Sequence, residues 1–253
     1  MKTIDLNCDL GESFGVYTLG QDKLMLNEVT SANIACGYHA GDHRVLDETV
    51  LAAKQRGVAI GAHPGLPDLA GFGRRVMQLS AREVYQLMIY QLGAIAAFTR
   101  IHQTRLHHVK PHGALYNMAS VDRETALAIV SAVRDFDPSL ILYALAGSEL
   151  CQVGQERGLR VAREVFADRT YQPDGTLTPR TQAEALIDDP QQAAHQILNI
   201  VRHGKVLAAN GTEIQLRADT VCVHGDNEQA LVFVRRLRKA LDEAGIVFRA
   251  VGN

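Results

Sequence analysis

The sequence predicts an α/β fold, a single distorted (β/α) barrel with seven or eight mostly parallel strands, occupying residues 1–253 as one domain. Three observations lead there. An apolar run, a loop punctuated by glycine or proline and an amphipathic stretch recur seven or eight times, the rhythm of parallel strands joined by right-handed helical crossovers. The runs are too uniformly apolar for a half-exposed sheet, as expected of strands covered by helices. No Gly-x-Gly-x-x-Gly follows the first run and opens a helix, which removes support from a dinucleotide-binding open sheet of similar rhythm. At 253 residues and 47% hydrophobic, the chain suits a barrel of about 250 residues.

The elements follow in order. Thr3 to Cys8 reads as the first strand, and Asp22 to Val29 as a short helix. Ser31 to Cys36 is the second strand; Asp42 then caps a helix to about Arg56, with Val45, Leu46, Thr49, Val50 and Ala53 on one face and Gly57 as its stop. Val58 to Ala62 is the third strand. A capping box, Ser80 to Glu83, opens a long helix marked by Val84, Leu87, Met88, Leu92 and Ile95. Leu106 to Val109 is the fourth strand, stopped by Pro111, and Asp122 and Glu124 favour the positive end of a helix that ends before Pro138. Leu140 to Leu145, a helix from Ser148 to about Arg157, and Arg160 to Phe166 supply the fifth and sixth strands. Residues 170–188 form a polar loop over one end. Asp189-Pro190 opens a helix to Val201, and Lys205 to Arg217 is a hairpin turning at Asn210-Gly211. Thr220 to Val223 is the seventh strand. A last helix spans about Asn227 to Ala244, and Ile246 to Val251 adds an eighth or edge strand.

Composition narrows the function. A net charge of −2 without a Lys/Arg-rich run argues against a nucleic-acid partner. Without an apolar leader or a run of membrane-spanning length, no membrane role is expected. Cys8, Cys36, Cys151 and Cys222 match no CxxC pattern, and three of them sit in strand-like runs; a reduced, cytoplasmic protein is the expectation.

In such folds chemistry gathers beyond the carboxyl ends of the strands. That rule alone collects Asp9 and Glu12 after the first strand, His39 and Asp42 after the second, and His63 after the third. Lys110 and His112 follow the fourth, Asp168 and Arg169 the sixth, His224 and Asp226 the seventh. Asp42 and Asp226 also suit helix N-caps, and a lone histidine beside glycine is ordinarily packing; the joint placement carries the argument. Two chemistries fit. In one, a metal held by Asp9 with two of His39, His63, His112 or His224 activates water, as in a stand-alone deacetylase or amidohydrolase. In the other, Asp9 and Glu12 manage protons, Lys110 and the histidines stabilise negative charge, and Arg74 or Arg75 grips a substrate carboxylate. A non-catalytic component of a larger complex is a third reading.

Several of these segments resemble a known family. Asp5-Leu6-Asn7-Cys8-Asp9-Leu10-Gly11-Glu12-Ser13, Asn33-Ile34-Ala35-Cys36-Gly37-Tyr38-His39-Ala40-Gly41-Asp42, His63-Pro64-Gly65, Gly71-Phe72-Gly73-Arg74-Arg75, Val109-Lys110-Pro111-His112-Gly113, Phe166-Ala167-Asp168-Arg169 and His224-Gly225-Asp226 are similar, in order, to the LamB/YcsF family. The resemblance implies a distorted barrel related to the glycoside hydrolase/deacetylase barrels. It also implies the A-subunit of an ATP-dependent 5-oxoprolinase, opening 5-oxo-L-proline to L-glutamate together with subunits B and C. For that reaction Asp9, Glu12, Lys110 and His112, collected at the strand ends, are the expected catalytic residues. Asn7, His39, His63, Arg74, Arg75, Asp168, His224 and Asp226 are expected to bind substrate. Asp9, His39, His63 and His112 are the candidates should a divalent metal be present. ATP is the expected co-substrate, but the chain lacks GxxxxGK[ST]: Asn199 stands where a first glycine would precede Gly204-Lys205. Nucleotide is therefore expected mainly on the partner subunits. Self-association into a homo-oligomer is left open.

Overall fold

A computed structural model describes residues 2–224 and 230–252. Seven strands close a parallel barrel: β1 (Lys2–Leu10), β2 (Ser31–Ala35), β3 (Ala59–His63), β4 (His108–Val109), β5 (Ile141–Leu145), β6 (Arg160–Phe166) and, after the β7–β8 hairpin (Lys205–Leu207, Glu213–Gln215), β9 (Thr220–Val223). Closure is made by β1, whose Asp5 to Cys8 pair with Thr220 to Val223 of β9 and whose Asn7 to Leu10 pair with Ser31 to Ile34 of β2. The start of β1, Lys2 to Ile4, instead takes β10 (Ile246–Phe248) in parallel, so the last strand is an edge outside the ring, as the sequence suggests.

Helices cover the barrel: α1 (Asp22–Met25), α2 (His43–Gln55), α3 (Ala81–Ile101), α4 (Gly113–Val121), α5 (Arg123–Phe136), α6 (Glu149–Glu156), α7 (Pro190–His203) and α8 (Ala230–Glu243). Their starts are specified locally. Asp42 accepts from Val45 N at 2.9 Å, and Ser80 and Glu83 form the reciprocal capping box. Asp122, Ser148 and Asp189 cap α5, α6 and α7 in the same way.

Two features depart from the sequence-based expectation. The fourth strand shrinks to His108–Val109, because the chain turns at Gly113 straight into α4, a helix that the expectation lacks. Asp122 is extended (φ −110°, ψ 113°) and serves as C-cap of α4 and N-cap of α5, so the helical period breaks there. The strands, moreover, are not apolar on both faces. Ile4, Leu6, Cys8 and Leu10 join the core shared with the helices, while the alternate residues Asp5, Asn7 and Asp9 turn into the barrel.

The barrel axis is therefore filled by a hydrogen-bonded polar column rather than the usual branched aliphatics. At its amino end, buried Asp5 accepts from Thr30 (2.5 Å), Thr220 (2.6 Å), Ser31 (2.7 Å) and Tyr143 (2.9 Å). Burial raises the Asp5 pKa even against four hydroxyl donors. Higher up, Asn7 donates to Thr220 and Glu164 and accepts from Asn33, which also donates to Asp9. His108 Nε2 donates to Asn33 Oδ1 at 2.8 Å. Satisfied in this way, the column fixes the groups at its carboxyl end.

Candidate active site

The column ends in a cavity of about 620 Å³ at the carboxyl ends of the strands, covered by the segment that follows β6. That segment is folded rather than loose. Arg169 donates to Thr178 O and Ala185 O, the Tyr171 hydroxyl accepts from Phe166 N at 2.8 Å, and Leu177, Pro179 and Arg180 line the cavity.

On the cavity floor Lys110 is 2% exposed, and its ammonium is surrounded by acceptors: Glu164 Oε1 at 2.9 Å, Asp9 Oδ1 at 3.0 Å, Cys222 Sγ at 3.0 Å and Asn7 Oδ1 at 3.4 Å. Burial disfavours its charge, yet Asp9, Cys222 and Glu164 together lift its pKa well above the usual lysine value. Burial likewise opposes an ionised Asp9, but His63 and Lys110 outweigh it and hold that carboxyl well below the usual range. Both groups of this pair are therefore charged at neutral pH. Tyr116 on α4 donates to the second oxygen of Glu164 at 2.6 Å.

Beside this ion cluster lies a group of three histidines. His63 closes β3, His112 precedes α4, and His39 comes from the loop before α2. His39 and His112 stack with ring centroids 3.7 Å apart and planes within 3°, and His63 meets both edge-on. The loop at Gly73 packs against them. Gly73 has φ +62°, and a Cβ there would come within 2.7 Å of His39 Cβ and 2.9 Å of His112 Cδ2. Gly113 (φ +53°) is equally confined: a Cβ there would lie 2.6 Å from the carbonyl oxygen of Gly73. Burial first, then the neighbouring imidazoles, hold His39 and His112 well below the ordinary histidine pKa, which keeps both rings neutral.

The structure brings Asp9, Glu12, His63, Arg74, Lys110, His112 and His224 together around the cavity, with Phe72, Phe166 and Arg169. Asn7 and His39 stand behind this lining, fully buried. Asp168 sits below His224, 2.5 Å from its Nδ1. Arg75 goes elsewhere: its guanidinium is bonded to Asp68 within its own loop, 68% exposed, and it does not line the cavity. Asp42 caps α2 and accepts from Gly15 N. Asp226 lies outside the described residues. Sequence reasoning assigns no role to Glu164, Tyr116, Asn33 or Cys222. Glu164 carries a usable signal, because a charge within an otherwise apolar strand must find a buried partner.

Among the described residues, two groups have the donors to hold a metal ion: Glu12, His39, His63 and His112, and separately Asp9, Cys222 and His224. The first gathers the three expected histidines with Glu12, and Asp9 falls in the second. There the Lys110 ammonium lies 3.0 Å from both Asp9 and Cys222, so a cation already occupies the centre.

The chain is similar over nearly its whole length to named proteins and to a solved structure. The chain is 55% identical over 253 residues to the 5-oxoprolinase A-subunit of Halalkalibacterium halodurans, covering 100% of this chain and 98% of the relative. It is 58% identical over 250 residues to the protein of the same name from Geobacillus kaustophilus, covering 99% and 97%. The crystal structure of the lactam utilization protein from Thermus thermophilus superposes with a TM-score of 0.92 at 48% identity, over 98% of this chain and 99% of that one. A structure from Enterococcus faecalis, 15% identical over 98% of this chain and 96% of that one, shares the fold alone at a TM-score of 0.58. The LamB/YcsF family model matches residues 4–253, and the chain belongs to the LamB/YcsF family.

Proposed function

We propose that this chain, acting as one barrel domain over residues 1–253, is the lactam-binding subunit of an ATP-dependent 5-oxoprolinase and promotes opening of 5-oxo-L-proline to L-glutamate. The observation that carries the reading is the buried Lys110–Asp9–Glu164 centre beside the buried rings of His112 and His63, on the floor of a cavity rimmed by Arg74, Arg169 and Arg180. The relatives above 50% identity carry the 5-oxoprolinase name, which favours a lactam over the acetylated substrates of a stand-alone deacetylase.

A five-membered lactam is a stable amide with a poor leaving group. Phosphoryl transfer from ATP to the amide oxygen, releasing ADP, would activate the carbonyl; water then attacks, the C–N bond breaks as the ring nitrogen takes a proton and leaves as the amine, and a second water hydrolyses the resulting acyl phosphate to L-glutamate and phosphate. In this scheme the Lys110 ammonium, set beside the His63 and His112 rings, stabilises the oxygen that gains charge. Asp9 is already bonded to Lys110 and Asn33, so its part is to orient Lys110 and His63, and Glu12 is the carboxylate assigned to proton transfer. Arg74 offers a bidentate partner to the substrate carboxylate, and Asn7, His39, Asp168 and His224 shape the floor and wall around it.

Lacking a P-loop, the chain leaves ATP mainly to partner subunits B and C. Its four cysteines are free and buried, which suits a reducing cytoplasm. No helix among the described residues is long and apolar enough to cross a membrane.

Isothermal titration of the purified chain with 5-oxoproline and with ATP, separately, tests the division of roles. Saturable lactam binding supports it; tight ATP binding without lactam binding overturns it.

A further inference from the structure

We propose that Glu12, His39, His63 and His112 form a binding site for one divalent transition-metal ion of the zinc class. Backbone carbonyls fix two hydrogen positions at this site. His63 Nδ1 lies 2.7 Å from Lys110 O, and His112 Nε2 lies 2.8 Å from Phe72 O. A carbonyl only accepts, so each of these nitrogens carries the hydrogen. That leaves His63 Nε2 and His112 Nδ1 turned towards each other, 2.9 Å apart, in rings only 1% and 4% exposed, with Asp9 Oδ2 3.3 Å from the same His63 nitrogen. Two imidazole nitrogens and a carboxylate oxygen converging in this way call for a positive centre, a proton or a metal ion. Ligand nitrogens 2.0–2.1 Å from a common ion, at angles between a right angle and the tetrahedral value, lie about 2.9–3.4 Å apart. The observed separation falls in that range.

His39 supplies an independent observation. It is fully buried, and neither ring nitrogen has a hydrogen-bond partner. Buried polar atoms are nearly always satisfied, so an orphaned imidazole marks a ligand. Its Nε2 points towards Glu12 Oε1 at 3.7 Å, and Glu12 Oε1 lies 4.0 Å from His112 Nδ1. One donor atom from each of the four residues fits within a 4.8 Å span. Gly65 admits the ring of His39, since a Cβ there would sit 2.4 Å from its Nδ1.

The donor set selects the ion. Three imidazoles and one carboxylate suit Zn²⁺, Fe²⁺, Co²⁺ or Ni²⁺, whereas Mg²⁺ and Ca²⁺ take oxygen ligands. The carbonyls that hold His63 and His112 are the outer partners that orient metal-bound imidazoles elsewhere. A bound ion of this class would acidify a coordinated water.

A proton on His63 Nε2, facing His112 and Asp9, is the competing positive centre, and metal binding decides between them. Elemental analysis of the purified chain, followed by chelation and calorimetric titration with Zn²⁺, should give one ion per chain and a raised Tm on reloading. His63→Gln and His112→Gln, checked for native fold by circular dichroism, should each weaken binding at least ~100-fold. His195→Ala and His203→Ala, at surface histidines, should not. The proposal is overturned by metal-free protein that gives no heat and no Tm shift with Zn²⁺, Fe²⁺ or Mn²⁺. Binding retained in both glutamine variants overturns it too, by placing the ion on surface histidines. The site needs no particular substrate, so separate titration with 5-oxoproline tells its failure from failure of the lactam reading.

Discussion

Lys110 and His39 are both buried at the carboxyl end of the barrel, yet their surroundings differ in kind. Around Lys110 every neighbour is an acceptor, and those acceptors are themselves held by Asn33, Tyr116 and Asn7. Around His39 the ring nitrogens find no hydrogen-bond partner, and the nearest imidazoles, His63 and His112, meet nitrogen to nitrogen at 2.9 Å. The first cluster is complete within the chain, a preorganised charge whose geometry costs nothing to assemble when substrate arrives. The second is complete only with something added. Self-satisfied polar clusters position chemistry, and unsatisfied ones bind.

Lys110→Met leaves Asp9 and Glu164 buried without a counter-charge, and should cost about 3–5 kcal/mol in denaturant unfolding. A loss below about 1 kcal/mol would mean that the cluster is wetter or looser than described. His112→Ala removes one of the neutral rings and should lower turnover by ~10²–10⁴-fold while the chain stays folded. Normal turnover in that variant would remove the histidine group from the chemistry.

Tyr116→Phe deletes one hydrogen bond to Glu164 and should cost about 1–2 kcal/mol, read from the same unfolding curves. Its effect should vanish in a Glu164→Gln background if the two residues act as one unit.

The pH dependence sharpens the picture further. The Lys110 pKa is raised on folding, so its contribution is full below the unfolded value of about 10.5 and is lost as pH rises through the folded one. The Asp9 pKa is depressed, so its contribution is full above about 3.8 and is lost as pH falls through the folded value. The pair's contribution to wild-type stability should therefore be constant between about pH 5 and 9, whereas in Lys110→Met the buried Asp9 loses a cation that lowers its pKa, so the advantage of wild type should not shrink as pH rises from 5 to 9. An advantage that shrinks as pH rises through that window contradicts a charged pair.

The smallest effect is expected at Arg75→Ala. Its guanidinium serves an exposed loop pair, so glutamate formation should stay near wild type, whereas Arg74→Ala should raise KM about tenfold. Equal effects at the two positions would show that the loop rearranges when substrate binds.

Much of the fold was legible because its signals are local. Asp42, Ser80, Asp122 and Asp189 announce their helices within four residues, and the Gly/Pro-bounded apolar runs mark the strands. Placing Asp9, His63, Lys110 and His224 at one end needed only the rule that parallel strands deliver their loops together. What stayed hidden depends on distance in sequence. Glu164 lies 157 residues from Asn7, and Tyr143 lies 138 from Asp5, so no pattern along the chain shows a polar barrel axis. Helix α4 was missed because Asp122 divides it from α5, leaving each part short. Arg74 and Arg75 are adjacent and chemically alike; only the position of Asp68 separates their roles.

Glutamate formation from 5-oxoproline and ATP by the proposed partner subunits, supplied with wild-type or Lys110→Met chain, tests the central claim most directly. The account predicts no product without this chain, full activity with wild type, and at least ~10³-fold less with a Lys110→Met chain that still assembles. Near-normal turnover by that assembled variant, or ring opening by the partners alone, would contradict it.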